Sequence, residues 1–225
     1  MNFNAVFGMW DAEFFRLGPI PVDHLIVTQW VIIAVFGLIA FLATRKMETV
    51  PRGAQNILEM LVEVVNGFFG GMIAEEKARW RVTPILCTFF VFILCSNYSG
   101  LIPGAGAVEG FQPPTGNWNT TLALALFGAA MVQIIGFQQN GMHYLSRFKN
   151  PINILEEVTH PMSLMLRLFG NIFAEETILT ALLALAPFMV PSAIMGLSVL
   201  LGAIQALVFT LLTASYMGSA ASKGH

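Results

Sequence analysis

From Thr177 to Ser222 the chain reads TILTALLALAPFMVPSAIMGLSVLLGAIQALVFTLLTASYMGSAAS, without one charged residue. At 1.5 Å per residue, a helix of about 20 residues crosses the roughly 30 Å hydrocarbon layer of a bilayer. This stretch is long enough for two such helices. Pro187 and Pro191 interrupt it, and proline ends or kinks a helix, so the turn between them falls near residues 187–191. The apolar character starts earlier, at Leu164, so the pair as a whole covers 153–220.

The same signal recurs upstream. One apolar run spans 25–44 and stops at Arg45-Lys46; two others span 82–102 and 119–139 and read as a helical hairpin. The segment 51–80 differs. Ile57, Leu58, Leu61, Val65, Phe68, Phe69 and Met72 recur at helical spacing, with Gln55, Glu59, Glu63 and Asn66 on the other side. Its acids suit it to the membrane interface or to other helices rather than to a crossing. Residues 1–24 carry acids and lack a basic segment followed by an apolar core, so no cleavable signal peptide is expected. The expected fold is therefore an all-α integral membrane domain. It has about five membrane-embedded helices, one amphipathic interfacial helix, and a long final pair.

Composition agrees. Of 225 residues, 56% are hydrophobic and 11% charged, with a net charge of −2; soluble domains carry about 25% charged residues. A disordered chain, a coiled coil and a basic nucleic-acid binder are excluded. Cys87 and Cys95, eight positions apart in an apolar run, read as small buried apolar residues, and no Cys/His cluster suggests a metal or cofactor. Arg45, Lys46, Arg52, Lys77, Arg79 and Arg81 lie between the first and second runs, Arg147 and Lys149 after the third, and Lys223 near the end. The loops at 103–118 and 186–192 have no lysine or arginine. The positive-inside rule places the N-terminus outside and the C-terminus in the cytoplasm.

Arg167 breaks the apolar pattern. An arginine within a membrane helix costs roughly 2.5–3.5 kcal/mol on insertion scales, which makes it a functional candidate; a snorkelling or structurally paired arginine is the alternative. Glu156, His160, Ser163, Arg167, Asn171 and Glu175 recur every three or four residues, one drifting polar stripe on a helix. Glu176 faces the opposite side. Glu156 lies about 16 Å to one side of Arg167 and Glu176 about 13 Å to the other. Packing does not require such a stripe; a proton or ion path does. The last helix offers Gln205, Ser198, Thr210 and Thr213 at depth but no acid, so neutralising Arg167 calls for a carboxylate on another subunit in the same membrane.

Pro161-Met-Ser-Leu-Met-Leu-Arg-Leu-Phe-Gly-Asn171, followed by Ala174-Glu-Glu176, closely resembles the signature of subunit a of F-type ATP synthases. Ser96-Asn-Tyr-Ser-Gly-Leu-Ile-Pro103, Asn119-Thr-Thr-Leu-Ala-Leu-Ala125 and Ile204-Gln-Ala-Leu-Val-Phe209 are similar to three further elements of that family, in the same order. The resemblance implies a stator subunit beside a rotating ring of c subunits, each bearing a mid-membrane carboxylate. Arg167 matches the essential arginine. It would favour the ionised ring carboxylate, since an opposite charge lowers a carboxylate's pKa. It would also separate two offset aqueous half-channels. Asn171 and Gln205 match polar residues near that arginine, and Glu176 an acid of the outer half-channel. Asn119 begins the third span. Ser198 stands where many members have His or an acid, Glu175 is an extra acid, and Asn117 stands where an Asp is common. Glu156, Glu157, His160 and Ser163 are candidates for the inner half-channel, with solvated interfacial residues as the alternative.

The resemblance also implies the c-ring, b-type peripheral stalk subunits, the lipid bilayer and, indirectly, the F1 sector as partners, and tilted final helices. It implies a bacterial plasma membrane, with thylakoid as the alternative. No GxxxxGK[ST] loop is present, so the chain is not an enzyme on its own and ATP chemistry lies elsewhere. Two other function classes compete: a self-contained secondary transporter and a structural subunit of a respiratory complex. No internal repeat of the kind common in transporters is found.

Overall fold

The computed structural model describes residues 13–17, 20–45, 47, 52–73, 76–101, 113–142, 144, 151–185 and 189–221. Residues 1–12, residues 187–188 of the expected turn, residues 103–112 of the loop free of lysine and arginine, and Lys46, Arg147, Lys149 and Lys223 of the charge argument lie outside them, as does the side chain of Glu176. The α-helices are α1 (His24–Thr44), α2 (Ala54–Phe69), α3 (Glu76–Ser99), α4 (Trp118–Asn140), α5 (Pro151–Leu185) and α6 (Met189–Ala221). A short antiparallel hairpin of β1 (Glu13–Leu17) and β2 (Ile20–Asp23) precedes α1. The N-terminal segment thus adds two short strands to the otherwise helical architecture. Both precede the first long apolar run, where the chain can pair its backbone outside the hydrocarbon.

Among the described residues, four helices are long and apolar enough to cross a membrane: Ile26–Thr44, Ala78–Ser99, Trp118–Asn140 and Ile194–Ala221. α5 is 35 residues long and carries the polar stripe, with Pro161 inside it. The final pair is helical over Pro151–Leu185 and Met189–Ala221, so Pro191 lies in the first turn of α6, where proline is tolerated, rather than in the turn between the helices.

Local chemistry explains the boundaries. Asn117 caps α4, its side chain accepting from Asn119 N–H at 2.8 Å. Gly141 closes the helix with φ +55°, a conformation that disfavours a Cβ. The expected single amphipathic helix over 51–80 is corrected. α2 stops at Phe69, Gly70–Met72 forms a 3-10 turn, and residues 76–80 are the first turns of α3. The Gly70-Gly71 pair supplies the break, because glycine is a poor helix former. The packed face of α2 also differs from the spacing argument. Gln55, Val65 and Phe69 are buried, whereas Ile57 and Phe68 are exposed.

α6 is the central helix, packed against α3, α4 and α5. One cluster of buried residues joins Val65 and Phe69 of α2 to Val82 and Leu86 of α3, Val132 and Ile135 of α4, and Ala214 and Met217 of α6. A second joins Phe89 and Ile93 of α3, Ala125 of α4, Leu164, Met165 and Leu168 of α5, and Ala206 and Phe209 of α6. α1 is almost wholly exposed along its length, consistent with a lipid-facing helix. Cys87 and Cys95 are free and half-buried.

Candidate functional site

The candidate surface is built on α5 and α6. Leu164, Met165 and Leu168 turn inward. Arg167, one residue from Leu168, emerges on the exposed side with Ser163, Leu166, Gly170 and Ala174. Its guanidinium makes no hydrogen bond or ion pair among the described residues. The stripe runs along the edge where α5 leaves the bundle. His160, Asn171 and Glu175 are half-buried at that edge, as is Glu157, while Glu156 and Ser163 are exposed beyond it.

Packing sets the register of the two helices. His160 of α5 stacks on Tyr216 of α6, with ring centroids 3.9 Å apart and an interplanar angle of 8°. Further along, Leu164–Leu168 meets Phe209 and Ala206. The helices therefore run antiparallel, and equal steps along each bring Asn171 level with Gln205. Arg167 sits one turn towards the His160 end. Gln205 is buried, and its Nε2 has no hydrogen-bond partner among the described residues.

The other hydroxyls expected at this depth are already engaged. Ser198, Thr210 and Thr213 donate to the carbonyls of Ile194, Ala206 and Phe209, at 3.0, 2.8 and 2.9 Å. Such bonds within a helix satisfy a hydroxyl where water is scarce. None of them is directed at Arg167. Asn119 is exposed in the first turn of α4, with its backbone N–H held by the Asn117 cap.

The two ends of the bundle are polar in different ways. At one end, Thr115 Oγ1 donates to Asn97 Oδ1 at 2.7 Å, and Asn97 Nδ2 donates to the Gly202 carbonyl at 3.1 Å. Tyr98 Oη donates to the Val199 carbonyl at 3.0 Å. These bonds tie α3 and the 114–116 turn to α6 about one to two turns before Gln205. Also near this end, Gln29 Nε2 of α1 donates to Thr120 Oγ1 at 2.8 Å.

At the other end, Arg81 reaches Gln138 at 3.5 Å, and Asn140 Nδ2 donates to the Ala220 carbonyl at 2.9 Å. Between α4, α5 and α6 lies a recess lined by Glu157, His160, Pro161, Thr213 and Tyr216, with Gly128 and Val132 among its walls. Gln133 Nε2 donates to the Glu157 carboxylate. Two of the four inner candidates, Glu157 and His160, are thus brought together here; Glu156 and Ser163 are not. Sequence reasoning passed over Tyr216 and Gln133. Gln133 left a signal, being the one polar side chain between Leu122 and Phe137.

The chain also matches known proteins over most of its length. The family model described as ATP synthase A chain matches residues 26–218. The chain is 42% identical over 215 residues to the ATP synthase subunit a of Moorella thermoacetica, covering 92% of this chain and 95% of that one. It is 39% identical over 214 residues to the ATP synthase subunit a of Gloeobacter violaceus, covering 91% and 87%. A helical membrane fold with its polar stripe on α5, matched over nearly its whole length, belongs to the ATP synthase A chain family, the proton-channel stator subunits of the Fo sector.

Proposed function

We propose that Arg167 is the fixed charge past which each carboxylate of a c-ring moves, and that the exposed side of α5 and α6 is the stationary face of the rotor. One observation carries this reading: a guanidinium that stands exposed and unpaired among the described residues, on an apolar helix, between two polar ends of the bundle. A bare arginine in hydrocarbon is costly, and no acid of this chain meets it among the described residues. A ring carboxylate passing by would be held ionised by the opposite charge and release its proton; carried on into lipid, it would favour the protonated form. A proton falling through 100 mV supplies roughly 2.3 kcal/mol.

The recess holding Glu157 and His160 fits the inner half-channel, with Glu156 and Ser163 on the exposed side of the same helix. Asn171, Glu175, Glu176, Gln205, Ser198 and Asn119 fit the outer one. Arg79 and Arg81 at the recess end support placing that end in the cytoplasm and the N-terminus outside. The Fo partners are the c-ring and b-type stalk subunits, with ATP chemistry on the F1 sector. The membrane is a bacterial plasma membrane, with thylakoid as the alternative.

The test is ATP-driven acidification of inverted vesicles carrying the assembled complex. Arg167→Ala should abolish acidification while the complex remains assembled. Normal pumping by that variant would leave Arg167 a packing residue and sink the reading.

A further inference from the structure

His160 is not simply tucked against its neighbour. The Tyr216 ring lies flat on one face of the imidazole, 3.9 Å away and within 8° of parallel. A covered face leaves the ring edge, which carries both nitrogens, as the route by which protons come and go. Both side chains line the recess, and Glu157 lines it one turn earlier on α5. The Glu157 carboxylate is held in turn by Gln133 of α4. Two side chains from two other helices thus fix the two titratable groups of the recess, about 10 Å (His160) and about 15 Å (Glu157) along α5 from Arg167.

We infer that Tyr216 is a positioning residue for proton passage: it holds His160 edge-on to the recess, beside Glu157, so that the pair exchanges protons with the adjoining solution. This rests on the reading of the recess as a half-channel. The groups around His160 have distinct roles. Glu156 and Glu157 lie on its own helix, Glu156 on the exposed side. Tyr216 and Thr213 come from α6, and Thr213 is engaged with the Phe209 carbonyl. α4 presents Gly128, Ala129, Val132 and Gln133, none of them charged. A stacking tyrosine that served packing alone would be replaceable by any side chain of similar bulk. One that sets the imidazole plane would be replaceable only by another flat ring.

The measurement is ATP-driven pumping by the assembled complex in inverted vesicles, read against the pH of the solution bathing the recess end. Tyr216→Leu should lower pumping roughly threefold to tenfold and move the profile by about half a pH unit or more. Tyr216→Phe, which keeps the stack, should restore both. If Tyr216→Leu does not assemble, Tyr216→Met is read in the same way. A wild-type profile in the Leu or Met variant, or a Phe variant as impaired as Leu, overturns the inference. His160→Ala with Glu157→Gln separates it from its premise. If that pair leaves pumping and profile untouched, the half-channel reading itself falls; if it alters them while Tyr216→Leu does not, only the role of Tyr216 falls.

Discussion

Gly218 and Gly170 are both glycines of long helices, yet their surroundings predict opposite outcomes. A Cβ on Gly218 would overlap the Met72 carbonyl oxygen, which belongs to backbone and cannot swing away. Gly218→Ala should lower the thermal midpoint of the purified protein, by the equivalent of roughly 1–3 kcal/mol. A Cβ on Gly170 meets nothing within 4 Å. Gly170→Ala should leave that midpoint unchanged and still reduce pumping, because the exposed side of α5 is where the ring would pass. A pumping rate equal to wild type would remove Gly170 from the rotor face. Asn97 is a third case. Alanine there strands the Thr115 hydroxyl and takes a donor from the Gly202 carbonyl. A cost of about 1–3 kcal/mol follows from leaving buried polar groups unmet. Thermal unfolding of Asn97→Ala beside Asn97→Asp separates the two bonds, since Asp keeps an acceptor for Thr115 but offers no amide to Gly202.

Among the elements that contribute to the buried clusters, α2 is held by few anchors. Val65 and Phe69 tie it into the core, while Ile57, Met60 and Phe68 stay exposed. Phe69→Ala should free α2 without disturbing the second cluster. Hydrogen exchange should rise across Ala54–Phe69 and stay unchanged across Leu164–Leu168; a rise in both would mean that the clusters unfold together. The spans were legible because an apolar run of about 20 residues has one explanation in a membrane. The end of α2 was harder to place, since its apolar period continues past Gly70-Gly71 while the backbone does not. The stripe through Arg167 was legible as a period along one helix. The recess was not: Glu157 and His160 are joined there by Gln133 and Tyr216, and periodicity says nothing about which helices become neighbours. The hairpin before α1 is likewise a matter of backbone pairing in a stretch too short to show a period.

The whole molecule presents apolar surface on nearly every side, and its exposed positions differ in what would cover them. α1 exposes Trp30, Ile33, Phe41 and Leu42 all round, as a helix in lipid does. α5 exposes Met162 and Leu166 beside Arg167, and α6 exposes Leu197, Leu200 and Ile204. Single cysteines placed at Met162 or Leu166 should cross-link to a ring subunit in assembled membranes; cysteines at Leu168 or Ala206, both buried, should not. Cross-linking at Ile33 but not at Leu166 would put the ring on the wrong side of the molecule.

The central place of α6 has a consequence for how the protein is made. α3 enters the bilayer about a hundred residues of synthesis before α6. Until α6 arrives, Asn97 and Tyr98 lack the carbonyls they bind, and the Val82 and Ile93 clusters lack Ala214, Met217, Ala206 and Phe209. A ribosome paused before Met189 leaves a partner-seeking intermediate in the membrane, one that insertion factors must shield or a membrane protease will recognise. Quality control of the nascent chain thus has a single event to watch for, the seating of α6.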